Sequence, residues 1–459
     1  MRNELVLHIN GRRHRVDASF AGWTLSSYLR DQLRQVGTKI VCSEGDCGAC
    51  TVLVGRPAAC RTSFHYQPID SCIAFLYQLD GAHVVTVEGL GGAPELSSDL
   101  DSLTPIQQAM VDCHGSQCGY CTPGFVMTMH GMVEESSTAG LDEASMRLGL
   151  SGNLCRCTGY AQIIDAGQSV DATTLRRMND VYPPASLLND ASKLDDGEPI
   201  RLESAERSFL IPATLDQAIA MRAEFPDARV VAGGTDVGVW FNHGKPDAAK
   251  IIYTGQLEEL RTIQPSGQWF SIGASVTWTE LIEAIESEHP AFLSFREILI
   301  RFGSPQIRNM GTVGGNLVNA SPIADSIPGF LVHHARVRLA SVRGCRVVPL
   351  HDFYLGYKQL DLSCDELLVS IELEVPSETT RVHLEKVSKR RDMDISTFTA
   401  AIALDFSDSR IDAARVALGG VGPVVLRTPK AEAFLVGQTL SESTMRAAGR
   451  IARQEIKPL

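Results

Sequence analysis

The sequence lacks a long apolar run: nowhere does it hold the roughly 18 uncharged apolar residues that a membrane-spanning helix needs. The N-terminal residues 1–10 also lack the basic, apolar and small-residue layout of a signal peptide. Basic residues are outnumbered, 42 Lys and Arg against 54 Asp and Glu, whereas proteins that bind nucleic acid normally present a basic face. We therefore expect a cytoplasmic protein that binds neither membranes nor nucleic acid.

Two other signals are absent. The chain has no G-x-G-x-x-G motif, which removes support for a Rossmann-type dinucleotide site, and it has no internal repeat of fixed period. With 44% hydrophobic and 21% charged residues, the composition is that of a globular protein with several cores. At about 150 residues per domain, 459 residues predict three or four domains.

Cysteine is abundant and unevenly placed. Ten of the 12 cysteines lie within residues 42–157, and only Cys345 and Cys364 lie beyond them. In a reducing compartment, a dense local group of thiols favours metal ligation over disulfides. The N-terminal third of the chain is therefore predicted to bind metal, and Cys345 and Cys364 are predicted to be structural thiols.

The pattern of residues predicts several domains. Residues 1–88 read as a mostly β unit, with an alternating first strand, a hairpin turn at Asn10-Gly11, a helix from Thr24 and a last strand at 82–88. Residues 89–170 read as four short helices in a compact bundle, with starts predicted from the caps Thr104, Thr122 and Asp142 and from the turn that ends at Tyr160.

The remaining residues divide into a linker and two mixed parts. Residues 171–205 are polar and hold Pro183-Pro184, so they are predicted to be a linker. Residues 206–343 and 344–459 alternate between strand and helix patterns. Strands are predicted at 367–373 and 400–406, and a C-terminal helix is predicted from Ser441.

The first cysteine group has the spacing C-x4-C-x2-C, formed by Cys42, Cys47 and Cys50, which is typical of plant-type [2Fe–2S] ferredoxins. Intervening glycines permit a tight wrap and let backbone N–H groups point at sulfur. Spacing alone leaves Cys60 and Cys72 as competing fourth ligands. A structural zinc loop is the alternative, although a second C-x2-C knuckle is missing.

The second group joins a C-x2-C at Cys118 and Cys121 to a C-x-C at Cys155 and Cys157. Two turns between helices can present these four thiols to one cluster, with zinc again as the alternative. Cys113 falls within a predicted helix and is interpreted as a buried thiol rather than a ligand.

Two glycine pairs lie further along. Gly233-Gly234 follows an apolar run and precedes Thr235, and Gly314-Gly315 follows Thr312. Such turns can aim backbone N–H groups at a pyrophosphate, but each alone is better explained as a tight structural turn.

These motifs together resemble the molybdenum hydroxylase family, which includes the xanthine dehydrogenases and aldehyde oxidases. The resemblance is carried by the segments 42–51, 117–124 (QCGYCTPG) and 153–160 (NLCRCTGY). It implies a multidomain α+β fold: a β-grasp ferredoxin-like domain, a four-helix-bundle [2Fe–2S] domain, a vanillyl-alcohol-oxidase-type FAD-binding domain and a C-terminal α+β domain. It also implies that Cys72 completes the first set, so that the ligands are Cys42, Cys47, Cys50 and Cys72, then Cys118, Cys121, Cys155 and Cys157.

The resemblance also implies FAD contacts at particular positions: Val230, Val231, Ala232, Gly233, Gly234, Thr235, Asp236, Val237, Phe302, Thr312, Gly314, Gly315, Asn316, Asp325, Leu368 and Lys386. Without the family, Asp325 reads equally well as a helix cap. The basic run 386–394 reads on charge alone as a solvated face, but the family places it near the flavin, with Met393 where many members carry an acid. Tyr357 is a candidate stacking partner for the flavin or nicotinamide.

The order of motifs resembles the small iron–sulfur/FAD subunit of bacterial xanthine dehydrogenases. The resemblance implies that a molybdopterin-containing large subunit performs hydroxylation, so that no catalytic residue for that step lies in this chain. Electrons from hypoxanthine or xanthine oxidation to urate would pass through two [2Fe–2S] clusters to FAD and then NAD⁺, in a dimer of heterodimers. The alternatives are the same role in an aldehyde or N-heterocycle hydroxylase, and a stand-alone redox or sensor protein.

Overall fold

The computed structural model describes residues 2–92, 103–135, 142–194, 197–245 and 248–456. Up to residue 254 the elements are β1 (Leu5–Ile9), β2 (Arg12–Val16), α1 (Leu25–Ser27), β3 (Thr51–Pro57), β4 (Phe64–Asp70), β5 (His83–Val85), α2 (Pro105–Asp112), α3 (Thr122–Glu135), α4 (Glu143–Gly149), α5 (Ala161–Ser169), α6 (Met178–Val181), α7 (Pro184–Leu194), β6 (Ile200–Glu203), β7 (Ser208–Ile211), α8 (Leu215–Glu224), β8 (Arg229–Val231), α9 (Thr235–Asn242) and β9 (Lys250–Tyr253).

After residue 254 the elements are β10 (Ile263–Ser266), β11 (Trp269–Gly273), α10 (Trp278–Glu288), α11 (Leu293–Leu299), α12 (Pro305–Arg308), α13 (Val313–Asn319), α14 (Ile327–Val332), β12 (Arg336–Ser341), β13 (Gly344–Pro349), α15 (Leu350–Phe353), β14 (Tyr354–Gly356), β15 (Gln359–Leu360), β16 (Leu367–Glu374), β17 (Thr380–Val387), β18 (Phe398–Ser407), β19 (Arg410–Gly419), β20 (Leu426–Arg427), α16 (Pro429–Leu435) and α17 (Glu442–Glu455).

The chain forms two compact units. The first holds residues 1–217, 227–254 and 304–310, and the second holds 218–226, 255–303 and 311–459. The fold is the predicted multidomain α+β arrangement. No helix in the described ranges is long and apolar enough to cross a membrane.

The first unit begins with a five-stranded sheet in the order β2-β1-β5-β3-β4. The predicted hairpin turn is confirmed, because Asn10 and Gly11 both have positive φ, 49° and 79°. The last strand is shorter than predicted and ends at Val85. At the next residue, the Thr86 N–H donates to Asn10 Oδ1 at 2.9 Å instead of to a neighbouring strand.

Four helices follow, as predicted from their start signals. Thr104 caps α2, Asp142 caps α4 by accepting from the Ser145 N–H, and Tyr160 precedes α5 in the left-handed region. Thr122 is the first residue of α3 rather than the residue before it. The helices bury one apolar cluster that includes Phe125.

The segment predicted to be a linker is packed. Residues 178–181 and 184–194 form α6 and α7, and the buried Tyr182 donates its hydroxyl to the Gly89 carbonyl at 2.6 Å. A four-stranded sheet in the order β6-β7-β9-β8 completes this unit.

The second unit holds a five-stranded sheet, β10-β11-β16-β12-β13, and a four-stranded sheet, β17-β18-β19-β20, around a shared apolar core. The boundary predicted between residues 343 and 344 falls in the turn of the β12–β13 hairpin, where Ser341 pairs with Gly344. The residues on either side of that boundary therefore belong to one sheet. The predicted C-terminal helix is present as α17, capped by Ser441.

The packing of α3 on the first sheet gives a test. A Cβ added at Gly124 would lie 2.1 Å from the Gly48 carbonyl oxygen, so Gly124→Ala must push α3 away from the loop before β3. We expect a loss of about 1–3 kcal/mol in the free energy of unfolding, measured by chemical denaturation. The matched control is Gly449→Ala, in α17 with open space at its Cβ position, which we expect to stabilise by up to about 1 kcal/mol. Equal effects of the two changes would contradict the packing argument.

Candidate functional site

The loop that bears Cys42, Cys47 and Cys50 is wound by three residues with positive φ: Ser43 (58°), Gly45 (75°) and Gly48 (64°). The glycines are also needed for space. A Cβ at Gly45 would lie 2.6 Å from Ile73 Cδ1, and one at Gly48 would lie 2.4 Å from Asn153 Nδ2. The loop is therefore pressed against its surroundings in a shape that larger residues cannot adopt.

The four thiols predicted as the first ligand set converge. The Cys42 thiol hydrogen-bonds with Cys47 and Cys72, and Cys72 in turn contacts Cys50. Cys50 and Cys72 are buried, each only 2% exposed. The rival Cys60 is exposed and contacts Thr62 and Ser63 instead. The geometry thus groups Cys72, and not Cys60, with the other three.

Crowding perturbs the acidity of these thiols. Hydrogen bonds from Cys47 and Cys72 lower the pKa of Cys42, and the same shared protons raise the pKa values of Cys47 and Cys72. Burial, followed by the nearby Cys50, raises the pKa of Asp70. Four thiols at such short range cannot all ionise in protein alone, because like charges disfavour one another. A cationic iron centre would supply the missing charge and take these four thiolates as ligands.

The second set converges from two turns. Cys121 hydrogen-bonds with Cys155, and Cys118 hydrogen-bonds with Cys157. Cys155 is buried, whereas Cys118 and Cys157 are exposed. Cys113 lies apart from the set, with its sulfur 3.9 Å from the Ser169 hydroxyl.

Local hydrogen bonds shape the turn that carries Cys155. The Thr158 hydroxyl donates to Cys155 Sγ at 3.2 Å, and the Cys155 N–H donates to Tyr160 Oη at 3.0 Å. Although burial opposes it, the bond from Thr158 lowers the pKa of Cys155. Burial and the bond to Cys155 raise the pKa of Cys121 to about 12.

The thiols of the second set meet as two pairs, and those of the first set form a chain of contacts from Cys47 through Cys42 and Cys72 to Cys50. Within the described residues, no group of three or more His, Cys, Asp or Glu side chains is arranged to hold a single metal ion. A [2Fe–2S] centre takes two thiolates at each iron. The second set offers such pairs in Cys118 with Cys157 and in Cys121 with Cys155, and the first set is joined through similar pairwise contacts. The residues present therefore fit a two-iron cluster at each place.

The two thiol-bearing loops touch directly. The Leu154 N–H donates to the Cys47 carbonyl at 3.0 Å, and Asn153 Nδ2 donates to the Gly48 carbonyl at 3.1 Å. A hydrogen bond thus joins the backbone of Cys47, in the first set, to Leu154, the residue before Cys155 in the second set.

The Gly233-Gly234 turn lies in the same unit. Gly234 has φ 74° and precedes α9 without a side-chain cap, which leaves the helix start suited to an anion. Gln78 Nε2 donates to the carbonyls of Ala232 and Gly233 at 3.3 and 3.0 Å, so those carbonyls face the ferredoxin-like domain. Within 230–237, Val231 is buried, Asp236 is exposed and Val230 is 37% exposed.

Helix α9 ends against the first thiol set. Asn242 Nδ2 donates at 2.8 Å to the carbonyls of both Ser43 and Cys72. A Cβ at Gly238 would lie 2.5 Å from the Ile73 carbonyl oxygen, so the helix lies close to this loop. One eight-residue helix therefore connects the glycine turn to the cysteine loop.

The second unit holds the other predicted flavin positions. Thr312 caps α13 by accepting from the Gly315 N–H at 3.2 Å. Gly314 is buried with no room for a side chain, because a Cβ there would lie 2.6 Å from the Ala274 carbonyl oxygen. Gly315 is exposed, and Asn316 accepts from the Ser326 hydroxyl at 2.6 Å.

Asp325 and Lys386 form a buried ion pair. Lys386 Nζ lies 2.7 Å from Asp325 Oδ2, with side chains 2% and 8% exposed. Ser396 donates to the other carboxylate oxygen. Asp325 is thus an ion-pair partner, not the helix cap that the sequence left open. Phe302 packs edge-on against Trp278, with ring centroids 4.7 Å apart.

The remaining positions differ in exposure. Leu368 is buried in the core of the second unit, paired with Leu339. Tyr357 is 58% exposed. In the basic run, Arg390 pairs with Asp394 at 3.4 Å, and Met393 has φ 52°. Nearby acids therefore offset part of this basic charge.

Several residues at these sites escaped the sequence analysis. Gln78, Asn242 and Ser396 are single polar residues outside any motif, and their roles arise from contacts between distant parts of the chain. Asn153 likewise acts through a distant contact, with the Gly48 carbonyl. The one available signal was weak: Asn153 lies inside the segment that carries the C-x-C motif.

Four protein-family models match the chain. They are a 2Fe-2S iron-sulfur cluster binding domain (residues 7–70), a [2Fe-2S] binding domain (86–168), an FAD binding domain in molybdopterin dehydrogenase (203–377) and a CO dehydrogenase flavoprotein C-terminal domain (384–459). These matches support [2Fe–2S] clusters and FAD as the cofactors.

Individual proteins are similar as well. Xanthine dehydrogenase 1 of Arabidopsis thaliana is 30% identical, over 99% of this chain and 37% of that protein. The chain therefore spans little more than a third of such relatives. Quinoline 2-oxidoreductase from Pseudomonas putida 86 superposes with a TM-score of 0.51 at 28% identity, over 56% of this chain and 89% of that chain. Carbon monoxide dehydrogenase from Hydrogenophaga pseudoflava gives 0.52 at 26% identity, over 56% and 90%.

The choice of the fourth ligand is testable. Cys72→Ser removes a thiol from the first set, and we expect it to lose about half of the iron bound per chain, because one of two clusters fails to assemble. Cys60→Ser is the matched control and should keep all of its iron, since Cys60 lies outside the set. The measurement is iron and acid-labile sulfide per chain. Iron loss in Cys60→Ser with full retention in Cys72→Ser would reverse the assignment.

The buried ion pair gives a second test. Lys386→Met leaves Asp325 buried without its cation, and we expect a loss of about 3–5 kcal/mol in the free energy of unfolding. Replacing both partners, Lys386→Met with Asp325→Leu, should recover most of that loss. The exposed pair Arg446–Glu442 is the control, and Arg446→Met should change stability by less than about 0.5 kcal/mol. A single variant as stable as the double variant would argue against the pair.

Proposed function

Because the chain belongs to the molybdenum hydroxylase family, as its iron–sulfur and FAD part, we propose that it carries electrons from a molybdopterin-containing partner subunit to NAD⁺. The organic substrate that we propose for the complex is hypoxanthine or xanthine, oxidised to urate, as in xanthine dehydrogenases. When bound, the [2Fe–2S] clusters carry single electrons, and FAD joins two of them into the hydride that nicotinamide accepts.

One observation carries this proposal: the two thiol sets and the glycine turn are connected in series within one unit. The Leu154–Cys47 hydrogen bond joins the two thiol-bearing loops, and α9 joins the first set to the turn at Gly233-Gly234. A route through these elements favours an electron carrier over a zinc-binding interaction module, for which such a connection has no use.

The exposure of the thiols supports an order of transfer. Cys118 and Cys157 are exposed, whereas Cys50 and Cys72 are buried and lie next to the end of α9. We propose that electrons enter at the set containing Cys118 and leave through the set containing Cys72. Of the other two members of the entry set, Cys155 is buried and Cys121 is partly exposed.

The other side chains hold the cofactors in place. Asn242 fixes the carbonyls around the first set, and Gln78 turns the carbonyls of the glycine turn away from the side where a pyrophosphate would bind. In the second unit, reciprocal hydrogen bonds between the Lys386 ammonium and the Arg301 carbonyl, and between the Arg301 guanidinium and the Lys386 carbonyl, order the residues beside Phe302.

A second candidate is the same role in a hydroxylase of N-heterocycles. The similarity to quinoline 2-oxidoreductase favours it. Because both candidates assign oxidation of the organic substrate to the partner subunit, the partner decides between the two.

The test uses the complex of this chain with its molybdenum partner. We expect about four irons, four sulfides and one FAD for each copy of the chain, and NADH formation when xanthine is added. Quinoline and nicotinate are the comparison substrates, and molecular oxygen is the comparison acceptor. Turnover of an N-heterocycle without turnover of xanthine would replace the first candidate by the second. A chain that binds zinc and no flavin would reject both.

A further inference from the structure

Four buried polar side chains meet between the thiol-bearing loops, and we call them the junction cluster: Thr51, Thr128, Asn153 and Gln306. Each is at most 3% exposed. Gln306 lies at the centre, with Nε2 3.0 Å from Asn153 Oδ1, 3.1 Å from Thr128 Oγ1 and 3.4 Å from Thr51 Oγ1. It comes from α12, far from the other three in sequence but in the same compact unit.

Gln306 is the donor of this cluster. The Thr51 hydroxyl donates to the Gly48 carbonyl at 2.7 Å, and the Thr128 hydroxyl donates to the Gly124 carbonyl at 3.0 Å. Their oxygens therefore accept from Gln306. Asn153 uses its NH₂ group on the Gly48 carbonyl, which leaves its oxygen to accept as well. The Gln306 NH₂ group has two N–H bonds, which serve the two nearer oxygens, those of Asn153 and Thr128, while Thr51 at 3.4 Å shares one of these hydrogens. Without the Gln306 amide, these buried acceptors lose their donor, which is costly in a dry interior.

Each partner of Gln306 belongs to a different thiol-bearing element. Thr51 follows Cys50, Asn153 lies two residues before Cys155, and Thr128 is in α3, which begins just after Cys121. One side chain thus fixes the position of the two cysteine-bearing loops relative to each other.

Helix α12 is itself held firmly against this region. Ser304 caps it by accepting from the Ile307 N–H at 3.1 Å, and Asn309 donates to the Pro68 carbonyl at 2.8 Å. A Cβ at Gly152 would lie 2.2 Å from Gln306 Oε1, so the loop before Cys155 closes tightly on the amide. The Gln306 side chain is therefore held at its backbone by the contacts of α12 and at its amide by the loop around Gly152.

We propose that Gln306 is a positioning residue for electron transfer between the two clusters. It holds the loops so that the Leu154 N–H bonds directly to the Cys47 carbonyl. With both clusters bound, one electron would pass from a reduced cluster at the second set to an oxidised cluster at the first, with no covalent bond formed or broken, and Gln306 would hold the loops in place for this transfer. This inference rests on the proposed function, because it requires both clusters.

The test is Gln306→Leu in the full chain, which keeps the bulk but removes the donor. Amide hydrogen exchange in peptides covering residues 150–157 reports the Leu154 N–H, and we expect about tenfold faster exchange.

In the iron-loaded protein, electron paramagnetic resonance reports the magnetic interaction between the two reduced clusters, which should weaken as the loops separate. Freeze-quench spectra of the complex should show a longer delay between reduction of the two clusters.

Two further variants serve as control and substitute. Gln108→Leu makes the same change at an exposed glutamine of α2, whose amide donates to Asp112 at 2.8 Å, and should leave the magnetic interaction unchanged. If Gln306→Leu does not fold, Thr128→Val is used instead. It removes one of the acceptors of the Gln306 amide while keeping a side chain of nearly the same size, and it should act in the same direction with a smaller effect.

The outcomes separate the two claims. Iron-loaded Gln306→Leu, or Thr128→Val in its place, with wild-type exchange, magnetic interaction and delay overturns the role of Gln306. A wild-type chain that never binds iron instead overturns the proposed function, and the exchange measurement still tests whether Gln306 holds the loops together.

Discussion

The arrangement of the first unit depends on the carbonyl group of Gly48. This oxygen accepts from the Thr51 hydroxyl at 2.7 Å and from the Asn153 amide at 3.1 Å, so the loop of the first thiol set is tied to the loop of the second. The same oxygen would lie 2.1 Å from a Cβ at Gly124. A glycine is therefore required on each side of the contact: Gly48 for its left-handed backbone and Gly124 for its missing side chain.

Charge explains why the two cysteine-bearing loops require a cation between their thiols. Eight thiols in two compact sets would place much negative charge in a small volume if all ionised, and the opposed pKa shifts of Cys42 and Cys47 reflect protons shared to prevent this. Bound iron would relieve the repulsion, and its binding would then contribute to the folding of the loops themselves. The two sets differ in solvent exposure, with Cys72 buried and Cys118 open to water, and exposure is one of the variables that set a cluster's potential.

Features that depend on hydrogen bonds between near neighbours in the sequence were predictable, whereas features that depend on contacts between distant residues were not. The turn at Asn10-Gly11 and the caps Thr104 and Asp142 act through hydrogen bonds within a few residues, so the sequence predicts them well. The last strand of the first sheet ends early because Asn10, 76 residues away from Thr86, takes the next N–H. No local pattern indicates such a contact.

The cysteine sites show the same division. Spacing identified Cys42, Cys47 and Cys50, yet it left Cys60 and Cys72 equal, because the choice depends on where β4 returns along β3. The amides of Gln306, Gln78 and Asn242 were invisible for a similar reason, since each is an isolated polar residue that becomes informative only when its distant acceptors are known. Sequence motifs locate candidate ligands because these are clustered along the chain, whereas the residues that position them are dispersed.

The buried pair of Asp325 and Lys386 shows what such dispersed residues contribute. A buried ion pair seldom stabilises a fold more than apolar residues of the same size would, so stability alone is a weak reason to keep one. Lys386 also donates to the Arg301 carbonyl at 3.2 Å, and Arg301 returns a bond to the Lys386 carbonyl at 3.3 Å. The pair thereby connects the end of β17 to the residue before Phe302 and to the segment before α14, three parts of the second unit that no single strand or helix joins. Its directional bonds fix their relative positions in a way that an apolar contact, which has no preferred angle, would not.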